Sequence, residues 1–282
     1  MPFNKPLVSI ICLCHNQADY VEKAIDSVLN QTYENIELIV VDDASNDGSK
    51  DIIREKLSET EVSIIDLPEN LGNCAAFNKG FFISKGEYII DLAADDELYP
   101  QRIEKGLSAF KESKVGVNFC DALLEYGDKR TSSSFYKRDD NGDLEQAVPQ
   151  GEVYESLIKR HFISAPTMMI KRDVLEELGG YDSTLAYEDF DFWIRSSRNW
   201  NYSFLDEILV KKRILPKSHH ASQFKFRSNH HQSTLKVCQK IKKLNKSISE
   251  KKALRQRCKY EIGLCIKQGN LRLIPGFLKL MF

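Results

Sequence analysis

The chain has 282 residues, of which 42% are hydrophobic and 29% charged, a composition that excludes extensive disorder and fits one large α/β domain with an appendage. Its formal charge of −1 is divided unevenly: residues 1–210 carry 21 basic and 39 acidic side chains, whereas residues 211–282 carry 19 basic and 2 acidic ones. This division predicts a cation-using site in the front part and an anionic partner for the end part.

Strands and helices alternate in the pattern of the first hundred residues. Continuous apolar runs predict buried strands over 7–14, 36–41, 62–67 and 87–92. Apolar residues at helical spacing predict helices over 20–30, after the turn at 45–49, and over 73–84. This order predicts right-handed βαβ units and a doubly wound, mostly parallel sheet, in which ligands bind beyond the carboxyl ends of the strands.

The pattern is less regular after residue 100. It predicts a strand over 115–124, a polar loop over 127–150, a helix that begins near residue 188, and a basic helical extension from about residue 234. Seven scattered cysteines without a CxxC pair favour reduced thiols, and the N-terminus lacks the apolar segment of a secretory signal. No stretch approaches the ~20 apolar residues of a spanning helix. These features predict a cytoplasmic protein, at most peripheral at the inner face of a membrane.

Two pairs of adjacent aspartates, Asp42-Asp43 and Asp95-Asp96, follow two of the predicted parallel strands. A carboxylate pair on a tight loop suits Mg²⁺ or Mn²⁺, which prefer oxygen ligands and would bridge to a diphosphate. A carboxylate at position 43 can accept hydrogen bonds from a nucleobase or a ribose. For either pair alone, a solvated loop or helix capping is the plainer interpretation. Together the pairs predict a nucleotide that lies across the edge of the sheet.

Three motifs resemble glycosyltransferase family 2 in their order and spacing. They are "VSIICLCHNQADY…IELIVVDDASNDGS" from residue 8, "NLGNCAAFNKG…EYIIDLAADDELYP" from residue 70, and "GGYDSTLAYEDFDFWIR" from residue 179. The resemblance covers about residues 7–200. It implies a GT-A fold and an inverting enzyme that uses a nucleotide-diphosphate sugar.

The resemblance also implies roles for individual residues. Asp43 would contact the base, usually uracil, Asp95 would lie near the ribose or the sugar, and Asp96 would reach the metal. Asn16, in "CLCHN", and Asn78, in "FNKG", would lie by the nucleotide-sugar.

The chain departs from the family pattern at two of these motifs. Ala93 stands where many members have an aspartate, a variant that the family also shows, so the resemblance leaves the number of direct metal ligands open. His15 takes the place of an aromatic residue that often lines the base pocket, with a neutral histidine packed at the strand end as the alternative. Of the pair His219-His220, one residue, His219 in our assignment, would complete the metal or diphosphate site. The histidine spacing fits no standard zinc site.

Glu188 and Asp189 precede a predicted helix with an apolar stripe that includes Trp193. An acceptor hydroxyl is a poor nucleophile and needs a base within hydrogen-bond reach. By resemblance Asp189 is that base, with Glu188 beside it, whereas two acids before a helix taken alone would indicate capping. We expect Trp193 to be a core residue rather than a platform for a sugar.

The sequence thus predicts a GT-A catalytic domain over 1–210, with a nucleotide-binding half (1–100) and an acceptor-binding half (101–210). Residues 211–282 would form a basic loop and helical extension. The predicted function is inverting transfer from a UDP-sugar to a glycan or lipid-linked acceptor in polysaccharide biosynthesis. The extension suits an anionic membrane surface better than nucleic acid, because it lacks interleaved aromatic residues. The alternatives are a non-catalytic nucleotide-sugar-binding member, a sugar-phosphate nucleotidyltransferase, and a signalling receiver.

Overall fold

The computed structural model describes residues 5–127, 132–215 and 230–282, so that His219 and His220 lie outside the described residues. The strands are β1 (Val8–Cys14), β2 (Ile36–Asp42), β3 (Ser63–Asp66), β4 (Tyr88–Ala93), β5 (Glu97–Leu98), β6 (Val115–Tyr126), β7 (Ser132–Ser134), β8 (Met169–Lys171) and β9 (Asn201–Ile214). The α-helices are α1 (Val21–Leu29), α2 (Ser49–Lys56), α3 (Asn73–Ile83), α4 (Arg102–Ser108), α5 (Tyr154–Lys159), α6 (Arg172–Leu178), α7 (Asp189–Ser196), α8 (His230–Leu244), α9 (Ile248–Lys267) and α10 (Ile274–Leu280).

Within these ranges the strands form one sheet in the order β3-β2-β1-β4-β8-β6-β9-β5, with β7 paired to β6. The first four strands are parallel to one another, and β6 is parallel to β9 over its whole length. The short strand β8 joins the two parallel parts by antiparallel pairs with β4 and β6. The predicted doubly wound, mostly parallel sheet is therefore confirmed.

The sheet has an apolar layer on each face, which explains the continuous apolar runs of its central strands. Every residue of β1 is buried, because successive side chains enter opposite layers. On one face Ile10 packs in a cluster with Ile25 of α1. On the other face Ile11 packs in a cluster with Phe77 of α3 and Phe190 of α7. Helices α3 and α7 therefore lie on the same side of the sheet.

Strand β9 has no counterpart among the predicted elements. Lys211, Lys212 and Arg213 near its end interrupt the apolar pattern by which a buried strand is predicted. In the structure Lys211 and Arg213 both form ion pairs with Glu97 of β5. The boundary predicted after residue 210 falls inside this strand, whose ladder with β6 continues to Ile214.

The C-terminal helices pack on the body of the molecule, as the predicted helical extension requires. Val237 and Cys238 of α8, Leu254 of α9 and Phe277 of α10 belong to the same apolar cluster as Phe190. All seven cysteines are buried and unpaired. Among the described residues, no helix has both the length and the apolar character that crossing a membrane requires.

Candidate active site

The register of the parallel strands brings the two aspartate pairs to one edge of the sheet. Cys14 of β1 lies opposite Asp42 of β2, and Leu13 lies opposite Ala93 of β4. Both pairs therefore begin loops that leave neighbouring strands at nearly the same level. This placement agrees with the one expected from the strand pattern.

Asp43 is only 5% exposed, and its carboxylate accepts hydrogen bonds from two backbone amides of the loop before α3. Leu71 N donates to Oδ1 at 2.7 Å and Gly72 N donates to Oδ2 at 2.9 Å. Asp43 therefore fixes the start of α3 against the end of β2. Each carboxylate oxygen can accept a further hydrogen bond, so the predicted contact with a base stays chemically open.

His15 and Asn16 connect the loops that follow β1 and β2. His15 Nδ1 donates to the Asp43 carbonyl at 2.6 Å, and the exposed ring turns Nε2 towards the amides of Asn16 and Asn70 at 3.1 and 3.0 Å. This is the pattern of the neutral Nδ1–H tautomer. Asn16 adopts a left-handed backbone with φ of 55°, and its Oδ1 accepts from Asn46 N at 2.8 Å. His15 is thus exposed between these loops rather than packed at the strand end.

Asp95 and Asp96 are tied to β9 through Arg213. Asp96 is 4% exposed and its Oδ1 accepts from Arg213 N at 2.9 Å, while Arg213 Nη1 donates to the Asp95 carbonyl at 2.7 Å. Burial, followed by the charge of Asp95, raises the pKa of Asp96 to about 8. Burial also raises the pKa of Asp95. Two carboxyls with raised pKa values favour a cation between them.

The donor set at Asp95 and Asp96 fits a cation that shares its ligands with a substrate. Among the described residues, no three His, Cys, Asp or Glu side chains are grouped so that they could hold a metal ion. Mg²⁺ and Mn²⁺ commonly use one or two carboxylates and complete their shell with water and phosphate oxygens. Oδ2 of Asp96 forms no hydrogen bond with a described residue and remains available for such an ion.

Asp189 is the first residue of α7, with Glu188 directly before it. Its Oδ1 accepts from Phe190 N at 2.6 Å, and its Oδ2 forms no hydrogen bond with a described residue. Burial, followed by the charge of Glu188, raises the pKa of Asp189 to about 7, against the opposing charges of Lys212 and Arg257. A carboxylate with a pKa near 7 is well suited to accept a proton at neutral pH.

The segment that carries Glu188 and Asp189 is held rigidly on both sides. Asp191 forms ion pairs of 2.6 Å with both Arg195 and Lys240, the latter from α8. The hydroxyls of Tyr187 and Thr234 are 2.6 Å apart, which ties the residue before Glu188 to α8. Trp193 is 1% exposed, in agreement with a core position.

Asn78 uses its whole amide group to hold the loop after α6. Its Nδ2 donates to the Tyr181 carbonyl at 2.8 Å and its Oδ1 accepts from Tyr181 N at 2.9 Å. Gly180 has φ of 79°, and a Cβ there would lie 2.5 Å from Asn78 Oδ1. Asn78 thus joins α3 to the chain that leads to Glu188, and its predicted contact with a nucleotide-sugar stays a prediction.

Two further ionisable residues, Asp91 and Lys212, are near the predicted site residues and were not among them. Asp91 is on the same face of β4 as Ala93, and burial followed by the charge of Glu188 raises its pKa well above the ordinary value. Burial raises the pKa values of Asp95, Asp96 and Asp189, and the charge of Lys212 opposes the rise at all three, so this ammonium is near both the acid pair and the start of α7. Asp91 is visible in the sequence as a carboxylate inside a buried run, whereas Lys212 gives no signal without β9.

Comparison with known sequences gives one family and relatives of similar length. The family described as "Glycosyl transferase family 2" matches residues 9–179. An uncharacterized glycosyltransferase of Methanocaldococcus jannaschii is 30% identical over 249 residues, which cover 85% of this chain and 82% of the relative. TuaG of Bacillus subtilis, a glycosyltransferase named for teichuronic acid biosynthesis, is 28% identical over 224 residues, or 78% of this chain and 84% of TuaG.

Comparison with solved structures identifies the fold as GT-A. S. aureus TarS, solved in complex with UDP-GlcNAc, superposes with a TM-score of 0.70 over 97% of this chain and 79% of TarS, at 16% identity. The mannosyltransferase PcManGT of Pyrobaculum calidifontis, solved with GDP-Man and Mn²⁺, gives a TM-score of 0.64 over 99% of this chain and 84% of the mannosyltransferase, also at 16% identity.

Proposed function

This chain belongs to glycosyltransferase family 2, and on that premise we propose that it transfers a sugar, with inversion, from a UDP-sugar to an acceptor hydroxyl. The main support is that the Asp95-Asp96 pair follows β4 at the carboxyl edge of the sheet, while Asp189 begins α7, and the charge of Lys212 acts on all three carboxyls. A donor diphosphate and an acceptor hydroxyl need such groups on opposite sides of the reacting carbon.

In the proposed reaction, Asp189 accepts the proton of the acceptor hydroxyl as its oxygen attacks C1 of the sugar. The bond between C1 and the diphosphate oxygen breaks on the opposite face, and the electron pair leaves with the diphosphate. Asp96 and Asp95 would hold Mg²⁺ or Mn²⁺, which when bound neutralises charge on the departing diphosphate. Asp43 would orient the base from the end of β2.

The relatives support the proposed classes of donor and acceptor. Proteins of the same fold have been solved with UDP-GlcNAc and with GDP-Man and Mn²⁺, which supports a nucleotide-diphosphate sugar here. TuaG is named for the synthesis of a cell-surface polysaccharide, which supports a glycan or lipid-linked acceptor. We place the reaction in the cytoplasm, at the inner face of the membrane, where lipid-linked acceptors are elongated.

Thermal unfolding with a panel of ligands tests this function directly. We expect UDP and one UDP-sugar to raise the melting temperature in the presence of Mn²⁺, because a ligand that binds only the folded state stabilises it. GDP and its sugars serve as the matched panel. NMR of the transferred product would then report the anomeric configuration, and retention would contradict the inverting mechanism. No stabilisation by any nucleotide in the panel would contradict the proposed function.

A substitution of Lys212 tests whether its charge serves the diphosphate. We expect Lys212→Met to weaken UDP binding about ten- to a hundredfold, because a hydrogen bond to a charged group is lost. Lys211→Met is the matched control, since Lys211 is the adjacent residue but pairs with Glu97 at 2.8 Å. Calorimetry with UDP and Mn²⁺ measures both variants. Equal affinities for the two would show that Lys212 does not contact the diphosphate.

A further inference from the structure

The charged side chains exposed on the C-terminal helices are almost all positive. Ten lysine and arginine side chains there are exposed and form no ion pair with any described residue. They are Lys242, Lys243, Lys246, Lys251, Lys252, Arg255, Lys259, Lys267, Arg272 and Lys279. We name this set the basic face.

The acidic side chains of the same segment are buried beneath that surface. Glu250 and Glu261, the two acidic side chains between residues 230 and 282, are both buried. Glu250 is paired with Arg198 at 2.8 Å, and Glu261 with Arg257 at 2.7 Å. The acids therefore neutralise inward-facing arginines, and the positive charge outside stays uncompensated.

The basic face also carries apolar side chains. On α9, Lys252, Lys259 and Ile266 follow one another at seven-residue spacing and so lie along one stripe of the helix. Ile248 and Ile266 are 74% and 60% exposed at opposite ends of that helix. Of the twelve large apolar side chains that are exposed in the described residues, six follow residue 247: Ile248, Tyr260, Ile266, Leu271, Leu278 and Phe282.

We propose that the basic face docks the protein on a bilayer of anionic phospholipid. Each Lys or Arg near such a surface strengthens binding about fivefold, and exposed apolar side chains add by entering the interface between headgroups and acyl chains. Nucleic acid would use the same charge, but it would be expected to meet several aromatic residues for stacking. Four of the six exposed apolar side chains after residue 247 are isoleucine or leucine, and two, Tyr260 and Phe282, are aromatic.

Two contacts connect α9, which carries much of the basic face, to the segment before α7. His231 Nε2 and Gln268 Oε1 are 2.7 Å apart, which joins the end of α9 to the start of α8. Thr234, one turn along α8, contacts Tyr187 beside Glu188. Helix α9 is thus connected through α8 to the segment that carries Glu188, and the docking inference itself does not rest on the proposed function.

Sedimentation of the full chain with phosphatidylcholine vesicles, with and without phosphatidylglycerol, tests this inference. We expect binding to vesicles that contain phosphatidylglycerol, and loss of that binding as salt is raised. The triple variant Lys252→Glu, Arg255→Glu, Lys259→Glu should bind about a hundredfold more weakly or worse. The matched control reverses three exposed lysines elsewhere, at Lys23, Lys79 and Lys111, and should bind as the native chain does.

Several outcomes would overturn the inference. They are equal binding to vesicles without phosphatidylglycerol, equal loss in the two triple variants, and binding of a single-stranded oligonucleotide that excludes the vesicles. Ile248→Ser with Ile266→Ser should weaken vesicle binding at a salt concentration where the native chain still binds, without changing its charge dependence, and no change there would contradict the apolar part. Stabilisation by UDP and Mn²⁺ should be the same in the native chain and the α9 triple variant, so that failure of docking and failure of the proposed function are distinguishable.

Discussion

Asp189→Asn is expected to lower kcat about 10²- to 10⁴-fold, the range over which a positioned general base contributes. The amide keeps the shape of the side chain and can still accept from Phe190 N, but it cannot take a proton from the acceptor. Nucleotide binding should be nearly unchanged, because Asp189 lies on α7, whereas the residues proposed to bind the nucleotide lie at the edge of the sheet. Product formation and calorimetry with UDP measure the two effects separately.

The matched control is Asp173→Asn, which changes an aspartate in the first turn of α6 and should leave kcat unaltered. Loss of transfer together with loss of nucleotide binding in Asp189→Asn would contradict the separation of roles. In the native enzyme, kcat/KM should rise with pH up to about 7, because the pKa of Asp189 is raised to about 7 and only the carboxylate accepts a proton. The residual activity of Asp189→Asn should lack this rise of kcat/KM with pH.

The same raised pKa predicts a gain in stability from the substitution. A carboxyl whose folded pKa lies above its unfolded pKa opposes folding increasingly as pH rises between the two values. Asp189→Asn removes that cost, so its stability relative to the native chain should grow by about 1–3 kcal/mol between about pH 5 and about pH 8. Thermal unfolding at the two pH values checks this, and a variant less stable at the higher pH would contradict it.

Asp96→Ala should abolish most of the metal-dependent binding of nucleotide. We expect the affinity for UDP in Mn²⁺ to fall at least about thirtyfold, because truncation of one partner of a buried charge contact costs about 2 kcal/mol or more. In EDTA the native chain and the variant should bind UDP equally. Calorimetry under both conditions is the measurement, and an unchanged affinity in Mn²⁺ would remove Asp96 from the metal site.

Asp96→Asn separates the charge from the structural role of this side chain. The amide oxygen can still accept from Arg213 N, which Asp96 Oδ1 does at 2.9 Å, but it is a far weaker ligand for a divalent cation. Both variants should therefore lose metal-dependent binding. Retention in Asp96→Asn with loss in Asp96→Ala would mean that Asp96 acts by holding β9 rather than by holding a metal.

The parts of the fold that the sequence predicts are those in which burial controls the pattern. Strand β1 is buried on both faces and reads as "VSIICLC", and the aspartates at the ends of β2 and β4 stand out because charge follows such runs abruptly. The helix at Asp189 is predicted from its apolar stripe, and Phe190 and Trp193 are indeed buried.

Strand β9 escapes prediction because its charged residues are matched by partners distant in sequence. Arg213 pairs with Glu97 and with Glu125, and neither partner is suggested by local spacing. For the same reason Lys212 was missed as a neighbour of the aspartates. The resemblance predicts a ligand contact for Asn78, which stays a prediction, and its two hydrogen bonds to Tyr181 depend on a loop conformation that no local pattern encodes.

The dependence of Asp95 and Asp96 on Arg213 has a consequence for how the protein is made. The hydrogen bond from Arg213 N to Asp96 spans 117 residues. Asp96 can therefore accept it only after about three quarters of the chain has left the ribosome. Contacts so remote in sequence form late in folding, since a long loop must close first. A nascent chain would therefore be unable to bind nucleotide until α7, which carries the proposed catalytic base Asp189, had also been synthesised.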